Sequence, residues 1–244
     1  SIDRRLAQLE TYRVNTSEAA FLTGTMQTTL DEIQTRSELL SQVLLAVELT
    51  PNDELFRTLS TEAGNALGHM LNGLNRSVAG RFLFSGTATD TPAVIEGEAM
   101  IAELQTALAG ATTVTDVEAA LDDWFDTPGG GFETDGYLGS TTSLAPLQLS
   151  ATESAGVDIR GDDAVFRDVM KAMAKAALAS DDTLTLSGAV KVDLISSAAL
   201  DLQTAMASMV ELRAGLGTVE QRIEETTARN AAERTATSIA RLEL

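Results

Sequence analysis

The sequence contains no cysteine, and this absence removes several kinds of site at once. Without thiols the chain cannot form disulfide bonds, zinc fingers, iron–sulfur clusters or a thiol nucleophile. Aromatic residues make up only 4% of the 244 residues, so a core must be built from Leu, Ala, Ile, Val and Met. That composition favours packed helices over a β-sandwich.

Positive charge is also scarce. The chain has 17 Lys and Arg against 36 Asp and Glu, and its net charge is −19. Such a field repels phosphate backbones and anionic lipids, so neither a nucleic acid nor a membrane is expected as a partner. No apolar run approaches the ~20 residues of a membrane span, and no signal peptide is visible.

What the sequence does contain is helical periodicity. Apolar and small residues recur every three or four positions from Ile2 to Val47, and again from Val192 to Thr226. This spacing is typical of long helices that pair as in a coiled coil. Between them, Thr50 as N-cap and Pro51 as first helical residue predict a second helix that ends near Asn75.

The amino-acid composition changes after Thr87, where Thr, Gly, Asp and Pro become frequent and the helical periodicity stops. We predict short helices at 99–110 and 115–125, a loop at 126–136, strands at 137–151 and 156–161, and another helix that opens at Asp162 and Asp163. The predicted fold class is mainly α with an α+β insert. Residues 1–85 and 161–244 would form one discontinuous helical rod, and residues 86–160 an inserted outer domain.

Two stretches resemble the flagellar hook-associated protein 3 family of the flagellin-like superfamily. Residues 61–94 resemble the family's segment in which a helix ending in Leu-Asn leads into an aromatic "FLFSGT" stretch. Residues 209–244 resemble its C-terminal helix. The matching positions are Gly80, Phe82, Leu83, Phe84, Ser85, Gly86, Thr87, Arg213, Leu216, Gly217, Gln221 and Arg222.

The resemblance implies a structural, non-enzymatic subunit at the junction between flagellar hook and filament, without cofactor or metal. Implied partners are further copies in a ring, hook-associated protein 1, flagellin and an export chaperone. The implied location is extracellular, reached through the flagellar type III export apparatus. The resemblance also implies that the terminal polymerisation segments are missing, so we expect a monomer in dilute solution.

Three alternatives stay open. A flagellin, the filament subunit, shares most of the pattern. A signalling coiled coil such as a chemoreceptor hairpin shares the long heptads, but residues 86–160 argue against it. An enzyme in the insert has only scattered acids to support it.

Few residues suggest chemistry. The single histidine, His69, has no partners at metal-ligand spacing. Ser85 is not in a nucleophile elbow. The Gly64 and Gly68 pair indicates close helix packing. Acids that surround three glycines could hold calcium, but a solvated acidic turn fits them better, since the calcium-loop spacing is absent; they are Asp122, Asp123, Asp126, Glu133 and Asp135.

The stretch "GRFLFSGT" at 80–87 is predicted to be a joint between rod and insert. We expect Gly80 to cap the preceding helix in a left-handed conformation, and Gly86 to let the chain turn from the rod into the insert. Phe82 and Phe84, two residues apart, would share one face of a strand and pack together.

Overall fold

Six helices carry most of the structure, a computed structural model that describes residues 1–46 and 52–243. Their bounds are α1 Ile2–Ala46, α2 Asp53–Leu74, α3 Gly97–Ala107, α4 Val114–Phe125, α5 Ala164–Leu178 and α6 Gly188–Leu242. Two short antiparallel ribbons join them, β1 Ser77–Val78 with β2 Arg81–Phe82 and β3 Leu147–Gln148 with β4 Ser154–Ala155. The predicted class, mainly α with a small β component, is confirmed.

The predicted stripes are the buried faces of the two long helices. Every predicted position from Leu9 to Leu44 is buried on α1, and most of those from Ile195 to Thr226 are buried on α6. Polar members of the stripe bond within their own helix: Thr23 Oγ1 donates to the Ala19 carbonyl at 2.9 Å. This satisfies a buried hydroxyl without a partner from another element. The end of the first stripe, at Val47, lies outside the described residues.

Helix starts follow their capping residues. The side chain of Asn52 accepts hydrogen bonds from the amides of Glu54 and Leu55, which makes it the N-cap of α2. Thr50 and Pro51, the predicted start of this helix, lie outside the described residues. Helix α5 begins directly after its N-cap Asp163, which confirms the predicted start.

The segment 86–160 contains less strand than predicted. Helices α3 and α4 are present, but the predicted strand 137–151 is reduced to Leu147–Gln148, and the predicted strand 156–161 is irregular. Residues 140–142 instead meet residues 85–87 through isolated backbone hydrogen bonds, so no ladder forms. The predicted loop 126–136 ends in a single π-helical turn, Phe132–Gly136, whose Phe132 packs against Trp124.

The chain divides into two compact units. Unit 1 contains residues 1–28, 143–158 and 211–244; unit 2 contains residues 29–142 and 159–210. Both units therefore draw residues from the predicted rod and from the predicted insert, and the division at 86 and 160 stays a prediction.

Unit 1 has a small core between two helices and a ribbon. Ala19 of α1 and Ile223 of α6 pack against Leu149 and Ala155, which flank the β3–β4 turn. Side-chain amides of both helices bond the same ribbon: Asn15 of α1 donates to the Gln148 carbonyl at 2.8 Å, and Asn230 of α6 donates to the Leu149 carbonyl at 2.8 Å. The ribbon thus fastens the two helices together.

Candidate functional site

The stretch at 80–87 begins with a tight turn. Ala79 and Gly80 both have positive φ, 50° and 78°, and they connect β1 to β2 as a two-residue hairpin. Two consecutive left-handed residues define a type I′ turn, whose twist suits a hairpin. Gly80 therefore has the predicted left-handed conformation but not the predicted role, because α2 has already ended with Asn75 as its C-cap.

The apolar residues of the stretch point into different surroundings. Leu83 and Phe84 are buried, whereas Phe82 is only partly buried. The strand ends at Phe82, so the prediction that Phe82 and Phe84 share one strand face is wrong. Phe84 instead contacts the ring of Phe166 on α5 edge-on, with centroids 6.0 Å apart.

Ser85 and Gly86 are enclosed by two other segments. The Ser85 hydroxyl donates to the Thr91 carbonyl at 2.6 Å, and the Ser85 carbonyl accepts from the Ser140 amide at 2.9 Å. Gly86 has φ +58°, and a Cβ at this position would lie 2.4 Å from the Ser140 carbonyl oxygen and 2.5 Å from that of Thr142. Only glycine fits this backbone and this approach. The amide of Thr87 extends the contact by donating to the Thr142 carbonyl at 2.9 Å.

Asn75 fixes the entry to the stretch. Its side-chain amide donates to the Val94 carbonyl at 2.8 Å, and its side-chain oxygen accepts from the Val94 amide at 2.9 Å. The next residue, Arg76, donates to Thr29 Oγ1 at 3.0 Å and pairs with Glu32 of α1 at 2.7 Å. Sequence reasoning identified Asn75 only as a helix end; the paired bonds to Val94 have no local signal.

The matching residues of the C-terminal helix fall into two groups. Arg213 Nε donates to Gln27 Oε1 of α1 at 3.0 Å, and Leu216 is buried. The bond from Arg213 ties α6 to α1 within unit 1. The others, Gly217, Gln221 and Arg222, have partly or fully exposed positions. A Cβ on Gly217 would meet no atom of the described chain within 4 Å, so this glycine has no packing role there.

A second polar cluster in unit 2 was not predicted. Lys171 Nζ of α5 donates to Asp122 Oδ1 of α4 at 2.8 Å and also pairs with Asp126. Burial opposes the charge of this ammonium, but the two carboxylate partners outweigh it and raise the pKa of Lys171 above its usual value. Beside it, burial raises the pKa of Asp168, a residue that lines one small cavity together with Lys171 and Lys175.

One turn further along α5, Lys175 is only 5% exposed. Its Nζ lies 2.9 Å from Glu118 Oε1 of α4 and 2.6 Å from Asp201 Oδ2 of α6. Because a buried ammonium needs both charge and hydrogen-bond partners, Lys175 ties three helices at one point. Asp122 and Asp126, two of the acids for which a solvated acidic turn was preferred over a calcium site, are likewise engaged by Lys171.

Within unit 1, Glu153 connects the β3–β4 turn to α6 in the way that Lys175 connects its helices. Its carboxylate accepts from Thr226 Oγ1 and pairs with Arg229, both on α6. The hydrogen bond from Thr226, followed by the charge of Arg229, lowers the pKa of Glu153 below its usual value.

Among residues 1–46 and 52–243, no group of three or more His, Cys, Asp or Glu side chains is placed to hold a metal ion. His69 is exposed on α2. In the same part of the chain, no helix is both long and apolar enough to cross a membrane.

The described site therefore consists of structural fastenings, that is, hydrogen bonds and ion pairs that connect separate segments of the chain. The fold that they stabilise can be compared with known structures. The chain matches a structure from Vibrio parahaemolyticus described as a flagellar hook-associated protein, with a TM-score of 0.65 and 14% identity, over 100% of this chain and 94% of the other. It also matches Bacillus cereus FlgL, with a TM-score of 0.64 and 14% identity, over 97% of this chain and 96% of the other.

At this identity the likeness establishes a shared fold. No protein-family profile matches the sequence, and no curated protein matches it either.

Proposed function

We propose that the protein is a structural, non-catalytic subunit of a bacterial flagellum, of the hook-associated protein 3 kind. The observation that carries the proposal is the fold match to two flagellar structures, one of them FlgL, which covers nearly all of each chain. The "FLFSGT" stretch and the C-terminal helix, on which the sequence resemblance rests, support the same assignment independently of the fold.

In this role the protein is a mechanical adaptor between hook and filament. It meets other copies of itself, hook-associated protein 1 and flagellin, and it leaves the cell through the flagellar export apparatus with the help of a chaperone. The internal fastenings suit a load-bearing part, because each ties separate segments through backbone or charged groups. Gly86 fits between two backbone carbonyls, and Lys175 joins α4, α5 and α6.

Deletion of the gene in the source bacterium tests the proposal. We expect cells with hooks but no filaments, and flagellin released into the medium, because the adaptor is missing while export and flagellin synthesis continue. Expression of the intact gene in trans should restore filaments. Filaments that still form on the hooks of the deletion strain would refute the junction role. Bare hooks with no flagellin in the medium would instead identify this protein as the flagellin.

A further inference from the structure

The two long helices carry interior glycines that packing does not require. Gly24 is the only glycine of α1, and Gly215 and Gly217 are the only glycines of α6 beyond its first residue. Apart from proline, glycine is the least favourable residue inside a helix. In the part of the chain that the structure describes, a Cβ added at any of the three would meet no atom within 4 Å. We call residues 24–28 of α1 and 213–218 of α6 the bend segment.

A reciprocal pair of hydrogen bonds joins the two helices in the bend segment. Arg213 Nε donates to Gln27 Oε1 at 3.0 Å, and Gln27 Nε2 donates back to the Arg213 carbonyl at 3.2 Å. In an α-helix the same carbonyl accepts from the amide four residues later, which belongs to Gly217. Gln27 therefore shares one carbonyl of the helical ladder beside a glycine, and a side chain inserted in this way is a recognised cause of helix bending.

Threonine hydroxyls share further carbonyls of the bend segment. On α1, Thr28 Oγ1 donates to the Gly24 carbonyl at 3.0 Å. On α6, Thr218 Oγ1 donates to the Ala214 carbonyl at 3.2 Å. A hydroxyl that bonds the carbonyl four residues earlier slightly destabilises a helix and often bends it. Both helices are therefore weakened in the same turns that contain the glycines.

The packing of α6 also becomes sparse at the bend segment. From Leu194 to Met209 the buried positions of the helix lie one or three residues apart, but Leu216 and Ile223 follow at intervals of seven. Few buried contacts lower the free energy of local opening. The boundary between the two compact units also crosses both helices here, after residue 28 in α1 and before residue 211 in α6.

We propose that the bend segment is a flexible joint at which α1 and α6 bend together. The bonds between Gln27 and Arg213 keep the two helices in contact. The glycines, the shared carbonyls and the sparse packing make bending easier there than elsewhere along the helices. This joint is a property of the isolated chain and does not depend on the proposed function. In any subunit that carries load, it makes the long helices yield at one fixed place.

The absence of cysteine allows the bend to be measured with pairs of spin labels on α6. Gln203→Cys and Gln221→Cys replace exposed residues that are five helical turns apart, so their labels lie on one side of the helix and ~27 Å apart along it. A second pair, Thr204→Cys and Arg222→Cys, is rotated by one residue and detects bending in another direction. We expect double electron–electron resonance to give a broad distance distribution for at least one pair.

Replacing the glycines should stiffen the joint. Gly215→Ala together with Gly217→Ala should narrow the broad distribution. The same change should slow hydrogen exchange of the amides of residues 215–219 by about fivefold for each glycine replaced, since alanine favours the helix. The matched control is Gly68→Ala on α2, where an added Cβ likewise meets no atom of the described residues within 4 Å. This control should leave both measurements on α6 unchanged.

Three results would overturn the joint. The first is a narrow distance distribution for both label pairs in the chain that retains its glycines. The second is a distribution that the two alanine substitutions leave unchanged. The third is hydrogen exchange at residues 215–219 that Gly68→Ala slows as much as the alanines on α6 do, because the amides would then exchange through global unfolding rather than through local opening.

Discussion

Replacement of Gly86 by alanine should be among the most damaging single changes in the protein. The residue has φ +58°, and the added Cβ would lie 2.4 Å and 2.5 Å from two backbone carbonyl oxygens. A left-handed conformation costs a non-glycine residue ~1–2 kcal/mol. Overpacking against atoms that cannot easily move typically adds ~1–3 kcal/mol. The expected loss of about 2–5 kcal/mol compares with a total stability of about 5–15 kcal/mol for a domain.

Gly80 provides the matched control. It also has positive φ, +78°, but a Cβ there would meet no atom of residues 1–46 or 52–243 within 4 Å. Gly80→Ala should therefore cost only the conformational part, ~1–2 kcal/mol. Urea unfolding followed by fluorescence of Trp124, the single tryptophan, reports on the unit that contains both glycines. If the two variants lose the same free energy of unfolding, the close approach at Gly86 contributes nothing and the reasoning fails.

Three further predictions concern the fastenings. Asn75→Ala removes both hydrogen bonds to Val94, so it should lower stability by ~1–3 kcal/mol and speed hydrogen exchange at the Val94 amide; unchanged exchange would contradict it. The pKa of Glu153 is lower in the folded than in the unfolded chain, so the ionised carboxylate stabilises the fold above the unfolded pKa, and this stabilisation is lost as the pH falls through the folded pKa. Thr226→Ala should therefore shift the pKa of Glu153 upward in an NMR titration. An unchanged pKa would exclude the Thr226 hydrogen bond as the cause. Neutralising both carboxylate partners of Lys175 should lower the free energy of unfolding in urea by ~3–5 kcal/mol, because the buried ammonium is then left unpaired. Lys175→Met should cost less, since the two carboxylates that it leaves unpaired are half-exposed to water. The reverse order would refute the buried-ammonium account.

The parts of the fold that follow from local pattern were predictable. The stripes from Leu9 to Leu44 and from Ile195 to Thr226 repeat every three or four residues, and this repeat is a direct consequence of helix geometry. The start of α5 at Asp163 was predictable for a similar reason, since acidic residues suit helix N-termini.

Features that depend on distant segments were not predictable. Residues 137–151 have about the length of a strand and are predicted as one, yet residues 140–142 meet residues 85–87 only through isolated bonds. The positive φ of Gly80 follows from its being a glycine, but its place in a hairpin rather than at a helix end does not, because the two-residue strands on either side of the turn are too short to recognise. The site showed the same limit: the sequence identified the stretch around Gly86, but not the carbonyls of Ser140 and Thr142 that enclose it.

The lysine cluster illustrates a further limit. Lys171 and Lys175 could be placed on a helix from sequence, where they suit its C-terminal end. Their partners lie 45–57 residues earlier, on α4 or at its C-cap, and Asp201 lies on α6. With one sequence, nothing distinguishes these acids from the many others in an acidic chain.

The most direct test of the flagellar role is to find where the protein lies on the organelle. Antibodies against this chain, coupled to gold and applied to isolated hook–basal bodies with attached filaments, should label one narrow band where hook and filament meet. Labelling along the whole filament would make the protein a flagellin. Absence of label from the organelle, in a preparation where antibodies to flagellin bind, would contradict the flagellar role itself.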